Sequence, residues 1–326
     1  MNNLKTDYMG LRLKNPIIAA SSGLTKSTNK IKACEDAGAG AIVIKSLFEE
    51  ALVEEDKKMK GSFDLHTEAY EYMRAQIHLQ YGPDEYCKLI AEAKKQVKIP
   101  VIASINCISG EWWVDFARKI EKAGADALEL NIFPMTSDET KSSAEIEENY
   151  YKTLLEVKNN VQIPVAMKIS MYITALPHLV VELEKRGLNG LVLFNRFVEP
   201  DIDINKMTLR TTFPFSRPDE MHQVLRWTAV LSDKTDVDIS ATTGIHTSEA
   251  IIKLILAGAS TVQLASVLYK QGFKVIDELL QGISSWMNKY NYDSINSFKA
   301  KVNFGNTENP DLYLRSQFME RIREID

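Results

Sequence analysis

The sequence is poor in the residues that build metal centres and covalent cross-links. Its 326 residues include only three cysteines and five histidines. The cysteines, Cys34, Cys87 and Cys107, form no Cys-x-x-Cys pair, which argues against a zinc site or an iron–sulfur cluster, and their odd number argues against a disulfide framework. No two histidines have metal-ligand spacing on one helix face. We therefore expect no metal, and a reducing cytoplasm as the setting.

Positive charge and long apolar runs are lacking as well. The formal net charge is −5, so the chain offers no basic field to attract nucleic acid. No apolar run approaches the roughly 20 residues that cross a bilayer. Residues 1–5 lack the apolar core of a signal peptide. We expect a soluble, cytoplasmic protein that binds neither nucleic acid nor a membrane.

What the chain does contain is a repeated alternation of strand and helix patterns. Residues 4–13 alternate around Met9-Gly10, which predicts a short hairpin that could plug the bottom of a barrel. Segments such as Asp36-Ala37-Gly38-Ala39 then mark turns from a helix into a strand. Strands are predicted over 16–20, 40–45, 100–105, 126–131, 164–169, 189–194, 236–241 and 260–264. Helices are predicted over 27–37, 83–97, 111–123, 144–160, 174–186, 218–232, 247–257 and 268–289.

Eight strand–helix units favour a closed (β/α)₈ TIM barrel of the α/β class, with residues 1–326 as one domain that ends in a C-terminal helical tail. The alternative is an open doubly wound sheet, which would carry a Gly-rich turn after its first strand. Residues 20–23 read Ala-Ser-Ser-Gly, which is not that turn. The longest insertions, 46–82 and 195–217, are predicted to form lids or walls on the catalytic face.

Polar residues stand where these strands end, and in a barrel such ends converge on one mouth. They are Ser21, Ser22, Lys45, Ser46, Asn106, Asn131, Lys168, Ser170, Asn195, Arg196, Thr242, Thr243, Gly244, Ala265 and Ser266. The last two loops are short, small and hydroxylated, which is typical of a barrel phosphate site built from backbone N–H groups. The alternative is that the Thr and Gly residues only form a tight turn.

The charged and amide residues of this set suggest two kinds of ligand. Lys168 ends an apolar strand and should meet an anion or an electron-rich ring, unless it is a Schiff-base lysine of an aldolase. Lys45 is expected to meet a similar ligand. The alternative is that its side chain simply reaches solvent at the barrel rim. The asparagines suit a neutral heterocycle with alternating N–H and C=O groups. Arg196 suits a carboxylate or phosphate, or forms a rim salt bridge with Glu199 or Asp201.

Eight motifs in order along the chain resemble those of class 1 dihydroorotate dehydrogenases, and more closely a divergent branch described as dihydroorotate dehydrogenase-like proteins. They are Asn15-Pro16, Ala20-Ser21-Ser22-Gly23, Ile44-Lys45-Ser46, Glu129-Leu130-Asn131, Val165-Ala166-Met167-Lys168, Phe194-Asn195, Thr242-Thr243-Gly244-Ile245 and Gly258-Ala259-Ser260-Thr261-Val262-Gln263. The resemblance implies an FMN-binding barrel that oxidises or reduces a CH–CH bond in a dihydropyrimidine-like ring.

The resemblance also implies roles for individual residues. The FMN phosphate would be held at Thr243-Gly244 and at Ala265-Ser266, and the pyrimidine edge of the flavin would meet Lys168. Ala20, Ser21 and Lys45 would line its other side, with Lys45 also counted as catalytic. The substrate would meet Asn131, Asn195, Arg196 and Asn106, and the three asparagines would border the cofactor as well.

One departure from the family pattern concerns the proton-accepting base. The family motif continues Asn-Leu-Ser-Cys-Pro-Asn, whereas this chain reads Asn131-Ile132-Phe133-Pro134-Met135, without the catalytic cysteine. The nearest hydroxyls are Thr136 and Ser137, which are weak candidates because an unassisted hydroxyl is a poor base. Flavin binding is therefore better supported than dihydroorotate as the substrate.

Three hypotheses remain open at the level of sequence. The first is the FMN oxidoreductase, working with a soluble electron acceptor such as fumarate, or with a partner subunit, and forming a homodimer. The second is a non-catalytic FMN-binding protein, which the missing base suggests. The third is an aldolase-type barrel that forms a Schiff base at Lys168.

Overall fold

A computed structural model describes residues 3–48, 83–106, 110–134, 137–211 and 215–314. The strands are β1 (Thr6–Tyr8), β2 (Leu11–Leu13), β3 (Ile17–Ala19), β4 (Ala41–Val43), β5 (Leu47–Phe48), β6 (Val101–Asn106), β7 (Ala127–Asn131), β8 (Val165–Ile169), β9 (Gly190–Leu193), β10 (Pro200–Asp203), β11 (Thr208–Thr211), β12 (Asp238–Thr242) and β13 (Thr261–Leu264).

Eight of these strands close into a parallel barrel. The order around it is β3, β4, β6, β7, β8, β9, β12 and β13, and β13 pairs in parallel with β3 to complete the ring. The short β5 extends the second unit along β6. Their apolar side chains are buried on both faces, against the hairpin inside and the helices outside, which is why they read as continuous apolar runs. The predicted TIM barrel is confirmed.

The helices alternate with the strands as the sequence predicts. They are α1 (Thr28–Asp36), α2 (Pro83–Gln96), α3 (Gly110–Lys122), α4 (Ser143–Lys158), α5 (Leu176–Lys185), α6 (Met221–Leu231), α7 (Ser248–Leu256), α8 (Ser266–Gln271) and α9 (Val275–Lys289). One prediction was wrong in detail, because residues 268–289 are not a single helix. Gly272, at φ +77°, ends α8 before α9 begins.

The N-terminal hairpin, β1 and β2, plugs the barrel from below. The two strands pair antiparallel around Met9 and Gly10, which both have positive φ. Tyr8, Met9 and Leu13 are buried against inward-facing side chains of the barrel strands. Gly190 provides the space for this contact, because a Cβ atom there would lie 2.7 Å from Met9 Cγ and 3.0 Å from the Tyr8 hydroxyl.

The two long insertions differ in what the structure describes. The first contributes β5, and its remainder, residues 49–82, lies outside the described residues. The second carries a two-stranded antiparallel hairpin, β10 and β11, preceded by residues 194–199. Both its strands lie close to the barrel mouth, since Asp201 and Arg210 line a cavity there. The described residues of the insertion 195–217 thus border this cavity, as expected of a lid or wall, whereas residues 212–214 lie outside the described residues.

The described part of the tail packs outside the barrel. Backbone N–H groups of Ala300 and Val302 donate to the last turn of α7, and that of Phe304 donates to Ala229 of α6. Up to residue 314 the tail consists of turns and one 3₁₀ helix, Pro310–Tyr313, rather than the α-helix implied by a helical tail, and positive φ at Asn291 and Ala300 interrupts it. Within the described ranges, no helix has the length and apolar character to cross a membrane.

The contact between Gly190 and the hairpin generates a stability prediction. Gly190→Ala should lower the free energy of unfolding by about 1–3 kcal/mol, because the added methyl overpacks the site that Met9 occupies. Urea denaturation measures the change. The double variant Gly190→Ala/Met9→Ala should lose less than the sum of the two single variants, since the smaller Met9 side chain removes the overlap. If the losses of unfolding free energy in the two single variants add up exactly in the double variant, the proposed contact between Gly190 and Met9 is contradicted.

Candidate functional site

A cavity of about 330 Å³ opens at the carboxyl ends of the barrel strands. Its lining contains most of the strand-end residues that the sequence selects. They are Ala20, Ser21, Ser22, Lys45, Ser46, Asn131, Lys168, Asn195, Arg196, Thr242, Thr243, Gly244, Ala265 and Ser266. Four selected residues do not belong to this lining. Ser170, just after β8, is buried and does not line the cavity. Asn106 ends β6 and is buried but does not line the cavity, Ser137 is exposed elsewhere, and Thr136 lies outside the described residues.

Two lysine side chains lie in this lining without a counter-ion. Lys168, next to last in β8, is half-buried, and Lys45 after β4 is exposed at the mouth. Within the described residues neither ammonium group has a salt-bridge or hydrogen-bond partner. Holding an ammonium group partly out of water is unfavourable unless an opposite charge or an electron-rich group approaches it. Two such groups in one cavity are arranged for an anionic or electron-rich ligand.

The two asparagines of the cavity hold each other in place. The Asn195 side-chain N–H₂ donates to the Asn131 side-chain oxygen, and also to the Lys168 carbonyl at 3.3 Å. This arrangement leaves the Asn131 N–H₂ group and the Asn195 side-chain oxygen without a hydrogen-bond partner among the described residues. One donor and one acceptor therefore remain for a ring edge that carries adjacent N–H and C=O groups.

A chain of three serines supports the opposite side of the cavity. The Ser21 hydroxyl accepts from the Ser46 backbone N–H at 2.8 Å and lies 3.0 Å from the Ser46 hydroxyl. The Ser46 hydroxyl in turn lies 2.7 Å from that of Ser104, which is fully buried in β6. Ser21 is thus held by two neighbouring strands, which fixes the loop after β3 that also carries Ala20.

The loop after β12 has a strained backbone. Thr243 has φ +81° although it is β-branched, and Gly244 follows at φ +74°. A left-handed β-branched residue is an outlier that persists only where the surroundings impose it, and such outliers cluster at functional sites. The N–H groups of both residues lack an acceptor among the described residues. A Cβ atom at Gly244 would lie 2.3 Å from the Met221 backbone nitrogen, so only glycine fits there.

Ser216, which the sequence interpretation did not select, ties the long insertion to the loop after β13. It is 3% exposed, lines the cavity, and donates its backbone N–H to the Ser266 hydroxyl at 2.9 Å. Its carbonyl accepts from Lys270 Nζ at 3.0 Å and lies 3.0 Å from His246 Nε2. Burial, with the nearby Lys270 charge, lowers the pKa of His246. No local sequence signal marks Ser216, because its partners are 30 or more residues away.

Gln263 is a second cavity residue without an assigned role in the sequence. Its side chain is 1% exposed, and its N–H₂ group donates to a Glu129 carboxyl oxygen at 2.8 Å. The Gln263 side-chain oxygen has no partner within the described chain. Because a buried polar atom without a partner costs free energy, this oxygen is available to a ligand donor. Strand alternation could have identified Gln263, since it is polar within the apolar strand β13.

Arg196 uses part of its guanidinium group in an ion pair with Glu220. Its Nε donates to Glu220 at 2.6 Å and one Nη donates to the same carboxylate at 3.2 Å. Burial alone would raise the pKa of Glu220, but hydrogen bonds from Arg196 and from the Arg217 backbone lower it below its usual value. The sequence offered Glu199 or Asp201 as salt-bridge partners and did not point to Glu220, which lies in the 3₁₀ turn before α6.

A larger, open cavity of about 820 Å³ adjoins the first, and we call it the outer cavity. The two cavities share Phe194, Asn195, Arg196 and Thr243. Tyr172 and Phe197 line the outer cavity, and Phe133 packs edge-on against Phe197 with ring centroids 5.4 Å apart. Phe133 follows Asn131 by two residues, so an aromatic contact occupies the segment where the family pattern carries its base.

The described residues contain no group of three or more His, Cys, Asp or Glu side chains that could hold a metal ion. The described lining of the cavity offers lysine ammonium groups, amides, hydroxyls and backbone N–H groups.

Comparison with known proteins gives a consistent result over most of the chain. The sequence profile described as "Dihydroorotate dehydrogenase" matches residues 3–287. A protein of Pyrococcus abyssi named "Dihydroorotate dehydrogenase B (NAD(+)), catalytic subunit" is 28% identical over 307 residues, which cover 90% of this chain and 96% of that protein. A protein of the same name from Thermoplasma acidophilum is 28% identical over 301 residues, which cover 90% of this chain and 97% of that protein.

A further relative carries a different suffix. The Aeropyrum pernix protein named "Putative dihydroorotate dehydrogenase A (fumarate)" is 26% identical over 288 residues, which cover 87% of this chain and 92% of that protein. The match of the family profile spans every strand of the barrel and every residue of the cavity lining. On that ground, this chain belongs to the dihydroorotate dehydrogenase family.

Proposed function

We propose that this protein is an FMN-dependent oxidoreductase that acts on the CH–CH group of a dihydropyrimidine-like ring. The observation that carries the proposal is the combination, in one barrel-mouth cavity, of two ammonium groups without counter-ions and a strained turn with free N–H groups. Membership of a family of dihydroorotate dehydrogenases supports the cofactor and the reaction type.

The residues present fit FMN in each of its parts. The N–H groups of Thr243 and Gly244, with the loop at Ala265 and Ser266, would hold the phosphate, because free N–H groups in a turn bind anions. Lys168 would meet the electron-rich edge of the flavin ring, with Ala20, Ser21 and Lys45 on its other side. Gln263 would accept a hydrogen bond through its unpartnered oxygen.

The protein's contribution to the chemistry is electrostatic and positional. When bound, FMN accepts a hydride and its reduced ring carries negative charge. The ammonium group of Lys168 stabilises negative charge at the edge it faces, and Lys45 adds a second positive charge to the same cavity. Asn131 and Asn195 present one donor and one acceptor, which orient a ring that carries N–H and C=O groups.

The substrate is proposed as a class and not as dihydroorotate itself. The relatives are named for dihydroorotate, but in this chain Phe133 lies near the place of the family's cysteine base. Ser137 is exposed and lines neither cavity, which gives it no contact with a bound ring. Asn106 stays a proposed contact at the mouth, although it does not line the described cavity.

For the wider setting we propose a single-domain cytoplasmic homodimer with a soluble electron acceptor. The names of the relatives point to two acceptors for those proteins, NAD(+) and fumarate. A partner subunit is the alternative route for electrons, since some relatives are named as catalytic subunits.

The absorption spectrum of the purified protein tests the proposal directly. We expect a flavin spectrum, or uptake of about one FMN per chain by flavin-free protein, followed by anaerobic bleaching with a dihydropyrimidine. A colourless protein that takes up no FMN would contradict the proposal. Borohydride trapping of a carbonyl compound on Lys168 would support the aldolase alternative instead.

The unpaired ammonium group of Lys168 generates a prediction about the flavin potential. Lys168→Met should lower the midpoint potential of bound FMN by several tens of millivolts, because the reduced, negatively charged ring loses its nearest cation; about 30 mV corresponds to 1.4 kcal/mol for two electrons. Spectroelectrochemical titration measures the shift. Lys152→Met, at an exposed position on α4, is the matched control and should leave the potential unchanged.

The turn at Thr243 and Gly244 generates a separate prediction about the phosphate. Thr243→Gly should retain FMN affinity within about threefold and should not lower stability by more than about 1 kcal/mol, because the N–H group stays and positive φ suits glycine. Gly244→Ala should weaken FMN binding strongly, since its Cβ would force Met221 away. Riboflavin, which lacks the phosphate, should bind both variants with similar affinity. Loss of FMN binding in Thr243→Gly would assign the contact to the hydroxyl.

A further inference from the structure

The outer cavity is too large and too aromatic for a single pyrimidine ring. Its volume of about 820 Å³ lies in the upper part of the range of roughly 300–1,000 Å³ that holds drug-sized ligands. It adjoins the cavity of about 330 Å³ at the strand ends, which we call the inner cavity, and Asn195, a proposed substrate contact, lines both. A ring bound at Asn195 therefore has room to extend outward.

Aromatic side chains form one wall of this space. Phe197 and Tyr172 lie with their ring centroids 5.6 Å apart at an interplanar angle of 51°, and Tyr172 is 59% exposed. Phe133 fixes the Phe197 ring from the loop after β7. Two rings inclined in this way form a cleft, in which a flat ring can stack on one of them and meet the other at its edge.

Most charged side chains that line the outer cavity form ion pairs. Arg196 pairs with Glu220, Arg210 with Asp201, and Arg217 with Asp219. Among the described residues, the lining carries three arginines and four carboxylates, Glu199 included, a net formal charge of one negative. Such a lining repels a carboxylated ligand and accepts a neutral one.

We propose that the substrate is a neutral fused-ring compound. Its polar, pyrimidine-like ring meets Asn131 and Asn195, and its second, apolar ring lies in the outer cavity against Phe197 and Tyr172. This inference rests on the proposed function, which supplies the reacting ring. It adds that the substrate has a second ring and that the substrate carries no charge.

Calorimetric titration of the FMN-loaded protein tests the inference with three probes. Quinazoline-2,4-dione is neutral and has two fused rings, uracil is its neutral single-ring counterpart, and orotate is the anionic single-ring compound. We expect quinazoline-2,4-dione to bind at least about tenfold more tightly than either single ring, as expected for burial of one additional apolar ring. Orotate or uracil binding as tightly as quinazoline-2,4-dione would overturn the inference.

Variants of the aromatic wall locate the effect. Phe197→Ala should weaken the binding of quinazoline-2,4-dione by about 3- to 10-fold, because one aromatic pair is lost, and should leave the affinity for uracil unchanged. Tyr172→Ala should act in the same direction, whereas Tyr172→Phe should retain the affinity. Tyr290→Ala, at an exposed tyrosine just after α9 that lines neither cavity, is the control. Equal weakening of all three probes by Phe197→Ala would overturn the assignment of the second ring to this wall.

Two controls separate the possible failures. Phe197→Leu keeps the apolar volume without the ring and covers the case in which Phe197→Ala does not fold. FMN content is measured before each titration. A protein that binds no FMN contradicts the proposed function, whereas a protein that binds FMN but shows no preference for the fused ring contradicts this inference alone.

Discussion

The site depends on one electrostatic constraint, the presence of two lysine ammonium groups in a barrel mouth that supplies them with no carboxylate. Closure of the barrel brings the ends of β4 and β8 to the same cavity, so Lys45 and Lys168 share one space. Other half-buried lysines of the described chain have a polar partner, as Lys94 has in Asp126 at 2.6 Å and Lys158 in the Asn189 side-chain oxygen at 3.0 Å. The lack of such a partner at the mouth is explained when a ligand supplies one.

Rigid polar contacts beneath the mouth make this arrangement precise. The Glu129 carboxyl fixes the amide of Gln263, and the serine chain from Ser104 fixes the loop that carries Ser21. Because buried polar groups must keep their hydrogen-bond partners, such contacts allow the side chains around them few alternative positions. The hairpin below, seated on Gly190, packs against inward-facing side chains of the barrel strands, and the cavity lies above it, at the strand ends.

The sequence predicts the parts of this structure that have a local signal. Turns such as Ala37-Gly38-Ala39 and prolines before strands define the eight units, and Asn131, Lys168 and Thr243 follow from their positions at strand ends. The pairing of Arg196 with Glu220 and the contact of Ser216 with Ser266 are long-range, and no local pattern encodes them. The break at Gly272 was missed because the apolar periodicity continues on both sides of it.

The segment after Asn131 reads Ile132-Phe133-Pro134, without the cysteine of the family motif that the sequence resembles. An aromatic contact between Phe133 and Phe197 stands near the place of a base, and it borders a cavity whose charges are paired. The most direct measurement of the central claim is a crystal structure of the protein grown with FMN. The account predicts the phosphate on the N–H groups of Thr243 and Gly244, with the flavin ring in contact with Lys168. A phosphate bound elsewhere, or a ring that leaves Lys168 without a contact, would contradict it.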